Sequence, residues 1–241
     1  MGDGYLSTVI LLSFEQAGRA TAVRFAFGEC MKYSIIVPAH NSAGFITKCL
    51  DSIRMQTVTD YELIVVCDRC EDNTEDIVRP YADVILTTDF GNDGPPRQAG
   101  VDIAQGDWIL FLDDDDYWIH EYVLDLIDNS LADDIDLLCF GFIFRGMGYA
   151  RPIRKHQGRN IFWPSVWNKC YRKEFILDTE FRSIEPHDAE APDIDWTRRL
   201  LVKDFRFGIL DQPLYYYNYM RAGSQTDTKV NVGGYKQRIL W

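Results

Sequence analysis

The chain has 241 residues, 46% of them hydrophobic and 26% charged, which is enough to bury the core of a large α/β unit and too apolar for a disordered chain. Its net charge of −12 argues against a nucleic-acid-coating protein, and no stretch approaches the roughly 20 apolar residues that a bilayer span requires. Six cysteines, Cys30, Cys49, Cys67, Cys70, Cys139 and Cys170, lack a compact disulfide spacing and point to reduced thiols in a cytoplasmic compartment.

Residues 1–30 carry weak periodicity, and Val9–Leu12 is too short, without a basic flank, for a signal peptide. Strong patterning begins at Met31-Lys32-Tyr33, so residues 1–30 read as an N-terminal extension and Met31 as a candidate natural start. Tyr33–Val37 reads as a strand halted by Pro38, and Ile46, Cys49, Leu50 and Ile53 follow at the i, i+3, i+4, i+7 spacing of a helix with one apolar face. Leu63–Val66 reads as a second buried strand, Thr74–Tyr81 as a short helix, Val84–Thr87 as a third strand, Arg97–Ala104 as a helix and Trp108–Leu112 as the central strand. This alternation implies a parallel sheet with right-handed crossovers, Rossmann-like in the first half of the chain. No GxGxxG follows the first strand, so a dinucleotide is not indicated.

Farther on, Ile119, Tyr122, Val123, Leu126 and Ile127 predict an amphipathic helix and Ile135–Phe144 a longer strand. Arg145, Arg151, Arg154, Lys155 and Arg159 are then interleaved with Gly and Pro, a basic loop that suits either a phosphate contact or a solvated hairpin. The chain ends at Trp241 within an apolar-patterned stretch of helical character.

The central strand runs directly into four consecutive carboxylates, Asp113-Asp114-Asp115-Asp116. Open α/β sheets place their ligands at the carboxyl ends of strands, and like charges this close raise one another's pKa unless a cation neutralises them. Hard oxygen donors suit Mg²⁺ or Mn²⁺, which would hold the phosphates of a nucleotide-containing substrate. The competing reading is an acidic turn that caps the following helix. The Cys67-Asp68-Arg69-Cys70 pair supplies only half of a four-thiolate zinc site, with no second CxxC or His pair to complete it.

Four features share the carboxyl ends of successive strands: Pro38-Ala39-His40-Asn41, Asp68 with Asp72, Arg97, and the acidic tetrad. Together they describe a nucleotide pocket. With Ile35-Ile36-Val37 before Pro38, Gln56-Thr57 before Tyr61–Val66, Asp72-Asn73-Thr74, Arg97 with Gly100, and Gly106-Asp107-Trp108 leading to the tetrad, the chain strongly resembles the family 2 inverting glycosyltransferases of the GT-A fold. The resemblance is firm from Tyr33 to Val123 and looser to about Thr226.

That resemblance implies an α/β fold with a mostly parallel sheet flanked by helices, residues 31–130 forming the nucleotide-sugar half and residues 131–241 a smaller acceptor-binding and catalytic half. It implies that Pro38, Ala39 and Asn41 line the nucleoside site and that Asp68 accepts from a base imide N–H, favouring UDP- or dTDP-linked donors. The family usually has Asp at the position of Cys67 and Gly-Ser at Arg69-Cys70, which changes the surroundings of the base. For Asp68 and Asp72 a turn-forming or capping role is the alternative.

By the same resemblance Asp115 is the direct metal ligand for Mn²⁺ or Mg²⁺, with Asp113 beside it as a ligand or ribose contact and Asp114 near the donor. Arg97 either stabilises charge on the leaving diphosphate or pairs structurally with a tetrad acid. Asp193, six residues before Arg199 in Asp193–Arg199, is the preferred general base, with Asp195 and Glu190 as alternatives and helix capping as its structural role. Of Trp163 and Trp167, one fills the core and the other touches the acceptor. Tyr217 and Arg221–Thr226 resemble a segment that closes over bound donor.

The implied partners are a nucleotide-sugar donor and a glycan or lipid-linked acceptor, the latter compatible with a cytoplasmic enzyme peripheral to the inner face of the membrane. A sugar nucleotidyltransferase would want a Gly-rich, basic loop after the first strand, which Pro38–Asn41 is not, and a non-catalytic binding module would not need the intact tetrad and Asp193.

Overall fold

A computed structural model describes residues 10–13, 31–92, 94–156, 159–183 and 191–218. In chain order the elements are β1 (Ile10–Ser13), β2 (Tyr33–Ala39), α1 (Ile46–Arg54), β3 (Tyr61–Asp68), α2 (Thr74–Val78), β4 (Val84–Thr88), α3 (Gly94–Ile103), β5 (Trp108–Phe111) and β6 (Tyr117–Trp118). There follow α4 (Val123–Asp128), β7 (Leu137–Phe144), β8 (Gly148–Ala150), β9 (Ile153–His156), β10 (Arg159–Phe162), β11 (Lys169–Arg172), α5 (Lys173–Ile176), α6 (Pro192–Leu200) and β12 (Phe207–Tyr217).

The apolar runs become neighbouring strands because each is buried on both faces. Every residue of β3 and β5 is buried, as a parallel strand between helical layers must be. One sheet runs β1-β4-β3-β2-β5-β11-β7-β12-β6, with β8 beside β7, while β9 and β10 form a separate hairpin. From β1 to β5 all neighbours are parallel, as the alternation predicts. Beyond β5 the sheet is mixed: β11 pairs antiparallel with both β5 and β7, and β12 returns parallel to β7.

Several expectations are corrected. β2 is not halted by Pro38 but continues to Ala39. On its β5 side pairing ends at Ile36, so the missing N–H of Pro38 costs no ladder bond there, while the β3 side stays in register to Ala39↔Cys67. The helix expected near Ile119 starts only at Val123, because Tyr117-Trp118 is taken into the sheet against Tyr216 and Tyr215. Within the N-terminal extension, Ile10–Ser13 forms an edge strand parallel to β4. The basic loop takes the hairpin form that its sequence left open, as β7–β8 and β9–β10.

The helices pack as their patterns foresee. α1 buries Ile46, Cys49, Leu50 and Ile53. Gln56 then ties α1 to the start of α4, its amide donating to Ser52 O (2.9 Å) and His120 O (2.8 Å) and accepting from Leu124 N (3.0 Å). Gly106 is required by close approach, since a Cβ there would lie 2.5 Å from the backbone of Tyr33 and Ser34. Its N–H donates to Ser34 Oγ at 2.8 Å, which in turn donates to Glu62. Gly106→Ala should therefore destabilise the fold by roughly 1–3 kcal/mol, the range for overpacking. Urea unfolding measures it, and an unchanged midpoint would show that the β2 backbone yields freely.

Candidate active site

The four acids after β5 face different neighbours because the turn that carries them splays successive side chains. Asp113 accepts a 2.6 Å bond from the buried guanidinium of Arg97 on α3, and its backbone N–H donates to the Tyr215 hydroxyl at 3.2 Å. Burial pushes the Asp113 carboxyl up to about 6 against the opposing pull of Arg97. Asp114 turns toward the β2–α1 loop, taking bonds from Ser42 Oγ and from His40 N (3.3 Å), and burial pushes it up to about 7. Asp116 is 1% exposed and accepts from the Tyr215 hydroxyl at 2.5 Å and from Asn218 N at 2.7 Å.

Asp115 lines an open cavity of about 530 Å³ with Lys48, Asp51, Tyr117, Tyr216 and Asn218. Lys48 Nζ stands 3.4 Å from the centre of the Tyr117 ring, which stacks on Tyr216 at 4.6 Å. Among the described residues no three His, Cys, Asp or Glu side chains form a ready metal cage. The donor set still fits Mg²⁺ or Mn²⁺, which are commonly held by one or two carboxylates together with substrate phosphates. Asp115 and Asp113 are the carboxylates that could hold such an ion.

The residues expected to border a nucleoside cluster at the ends of β2 and β3. Asn41 adopts φ 49°, a left-handed conformation that Asn tolerates, and its side-chain oxygen accepts from Glu71 N (2.8 Å) and Asp72 N (3.3 Å). The Asp68 carboxylate, only 6% exposed, accepts from Thr88 Oγ1 (2.8 Å), Phe90 N (2.7 Å) and Gly91 N (2.8 Å), so it anchors the loop after β4. Asp72 takes the turn role, accepting from Thr74 N at the start of α2 (3.0 Å) and from Ala43 N (3.1 Å). Arg69 sits at φ 50°, a strained position for a side chain that the family usually leaves to Gly, and is ion-paired with Asp89. The thiols of Cys67 and Cys70 hydrogen-bond each other, and that bond holds Cys70 down at about 7 while it pushes Cys67 up.

Asp193 stands in the first turn of α6, on the face shared with Trp196 and Thr197 at i+3 and i+4. Trp196 is caged at the end of β5, stacked on Phe181 (4.3 Å) and edge-on to Phe111 (6.0 Å) and Tyr171 (5.3 Å). That cage brings Asp193 close enough to raise the pKa of Asp113 and to act on Lys169 and Tyr217. Asp195 is instead ion-paired with Arg199 at 2.8 Å, and Glu190 lies outside the described residues, as do Arg221–Thr226. Trp167 is a core residue, stacked on Tyr215 at 4.5 Å. Trp163 is half-buried, with its indole N–H on Arg151 O at 2.7 Å.

Two buried polar groups beside the site escape the sequence reading. Tyr215 bridges Asp113 and Asp116 from about a hundred residues away, and no local pattern signals it. Lys169 is fully buried, its ammonium donating to Trp163 O (2.7 Å), Ser165 O (2.5 Å) and Asn168 Oδ1 (2.7 Å).

Residues 34–185, more than half of the chain, match the sequence profile of glycosyl transferase family 2. The chain belongs to that family. It is 30% identical over 210 residues to the Staphylococcus aureus poly(ribitol-phosphate) β-N-acetylglucosaminyltransferase TarS, covering 80% of this chain and 36% of TarS. It is 38% identical over 116 residues to a Bacillus spizizenii poly(ribitol-phosphate) β-glucosyltransferase, covering 44% of this chain and 18% of that protein. The chain thus spans well under two thirds of these relatives. The structure of S. aureus TarS in complex with UDP-GlcNAc matches with a TM-score of 0.70 at 27% identity, over 82% of this chain and 61% of that one. A Pyrobaculum calidifontis mannosyltransferase in complex with GDP-Man and Mn²⁺ shares the fold, with a TM-score of 0.60 at 18% identity over 80% of this chain and 58% of that one. The GT-A architecture and the family are therefore those that the motifs imply.

Burial pulls Lys169 down to about 8 from 10.5, so the folded state favours its neutral form. A depressed pKa contributes stability above the unfolded value and loses it as pH falls through the folded one. Relative to Lys169→Met, the wild type should gain up to about 3 kcal/mol as pH rises from about 8 to above 10.5. Paired denaturation curves across that window check it, and a pH-independent difference would mean that the ammonium is fully charged in the fold.

Proposed function

We propose that this protein transfers a sugar from a UDP-linked donor, UDP-GlcNAc foremost, to a hydroxyl of a polyol-phosphate polymer, with inversion at the anomeric carbon. The observation that carries this reading is the likeness to the UDP-GlcNAc complex of TarS over 82% of the chain. In this chain Asp115 opens to a cavity at the same strand edge as Asp113, with Asp193 within electrostatic reach. The poly(ribitol-phosphate) acceptors in the names of two relatives supply the acceptor class.

Asp115, with Asp113 beside it, would hold a divalent cation whose charge offsets the negative charge growing on the leaving diphosphate. Arg97 orients Asp113 and keeps a positive charge beneath the turn. Pro38, Ala39 and Asn41 border the nucleoside, and the Asp68 carboxylate retains acceptor capacity for a base imide N–H. Asp193 takes the proton of the acceptor hydroxyl as that oxygen bonds to the anomeric carbon. On the opposite face the bond to the diphosphate oxygen breaks, and UDP leaves with the electron pair. Trp163 is the aromatic left to meet the acceptor. No helix among the described residues is long and apolar enough to cross a membrane.

Calorimetric titration of UDP-GlcNAc with and without Mn²⁺ tests the reading. Asp115→Ala should abolish the metal-dependent part of donor binding, and undiminished binding would remove Asp115 from the metal site. Asp193→Asn should leave donor binding near normal while lowering transfer roughly 10²–10⁴-fold. Full transfer by that variant would move the base elsewhere.

A further inference from the structure

Five cysteines lie among the described residues, all as free thiols, and of these Cys70 alone is not buried. Cys67 is the last residue but one of β3, directly before Asp68. Between them Arg69 holds φ 50°, a left-handed step that turns the chain back so that the Cys70 sulfur meets the Cys67 thiol.

The same sulfur reaches the end of β2. The Cys70 thiol donates to Ala39 O at 3.5 Å, and the Asn41 backbone N–H donates to the Cys70 sulfur. Ala39 is also the register partner of Cys67 in the neighbouring strand. Asn41 in turn accepts at Oδ1 from the N–H groups of Glu71 and Asp72, the two residues after Cys70. The His40 ring donates from Nδ1 to Asp68 O at 2.6 Å, since a carbonyl oxygen only accepts. The end of β2 and the turn after β3 therefore hold one another through these thiols, His40 and Asn41.

The other described cysteines show what a packing thiol looks like in this fold. Cys49, Cys139 and Cys170 are fully enclosed, and burial pushes each of them up. Cys70 goes the other way: the Cys67 hydrogen bond foremost, with the Asn41 N–H, holds it down at about 7 against the effect of burial. Much of it is thiolate at neutral pH, with solvent on one side and a second thiol on the other. An accessible thiolate beside a resolving thiol is the arrangement that oxidises reversibly.

Resting on the donor site of the proposed transfer reaction, we propose that Cys67 and Cys70 are a redox-active pair that hydrogen peroxide oxidises to a disulfide, and that this disulfide weakens binding of the nucleotide-sugar donor. The Cys70 thiolate attacks one peroxide oxygen, the O–O bond breaks, and the other oxygen leaves with the electron pair and takes up a proton as water. The Cys67 sulfur then bonds to the Cys70 sulfur, the S–O bond of the sulfenic acid breaks, and hydroxide leaves with the Cys67 proton as a second water. Two thiols are oxidised to one disulfide while one peroxide is reduced to two waters. The disulfide has no S–H to give Ala39 O and no thiolate to take the Asn41 N–H, so oxidation unties the end of β2 from the turn after β3. A dithiol reductant restores both bonds.

The test takes the full chain, reduced and then treated with hydrogen peroxide, maps its disulfides by mass spectrometry without reductant, and titrates it with UDP-GlcNAc by calorimetry. The wild type should lose two hydrogens across Cys67 and Cys70 and bind UDP-GlcNAc at least about tenfold more weakly, a loss that dithiothreitol reverses. Cys70→Ser, which installs the residue the family usually has there, should bind like the reduced wild type and be indifferent to peroxide. Cys67→Ala should stop at a sulfenic acid on Cys70 that dimedone captures. Absence of a Cys67–Cys70 disulfide in the treated wild type would overturn the inference. So would a disulfide that leaves UDP-GlcNAc affinity unchanged, or an undiminished peroxide effect in Cys70→Ser. Failure of the reduced wild type to bind UDP-GlcNAc would count instead against the donor reading, with the disulfide map still deciding whether the pair is redox-active.

Discussion

Everything at the functional edge of this protein follows from the cost of placing four carboxylates at the end of one buried strand. Adjacent anions in a partly desolvated turn repel, and each must be neutralised, hydrogen-bonded or left facing water. The fold disperses them: Asp113 to Arg97 of α3, Asp114 to the loop after β2, Asp116 to Tyr215 of β12 and to Asn218 just past it. Asp115 is thereby the member of the tetrad presented to the cavity. The turn works as a hub that ties distant segments together and aims one carboxylate outward.

The same logic places the rest of the site. α6 is held by Trp196 in an aromatic cage with Phe111, Tyr171 and Phe181, so the acid one turn earlier, Asp193, is positioned by packing at the end of the strand that precedes the tetrad. Lys169 closes the loop that carries Trp163 by satisfying its carbonyls from below. Buried polar networks of this kind are rigid when fully satisfied, which suits a site whose chemistry depends on sub-ångström placement. The family departures at Cys67, Arg69 and Cys70 flank Asp68, the first at the end of β3 and the other two in the loop that follows. The fold accommodates them with a hydrogen bond between the two free thiols and the Arg69–Asp89 pair, while Asp68 keeps its hold on the loop after β4.

Charge is divided in a corresponding way. The strand edge that carries the tetrad is acidic, whereas the stretch from Leu137 to Lys173 holds eight Lys or Arg and no Asp or Glu.

The alternation of apolar runs with one-faced helical patterns was sufficient to read β2 to β5 as a parallel sheet, because strands buried on both faces must be apolar throughout. The motifs at their ends identified the family and the acids at issue, since those residues answer to local geometry at strand termini. What the sequence by itself left undecided was everything that depends on pairing across long separations. Ile119 looks like the start of a helix until Tyr215 and Tyr216 draw the preceding Tyr117-Trp118 into the sheet, and Pro38 looks like a stop until the strand beside it ends earlier. The division of labour among Asp113, Asp114, Asp115 and Asp116 was likewise invisible, because identical neighbours in sequence are told apart only by which partner the tertiary structure brings to each.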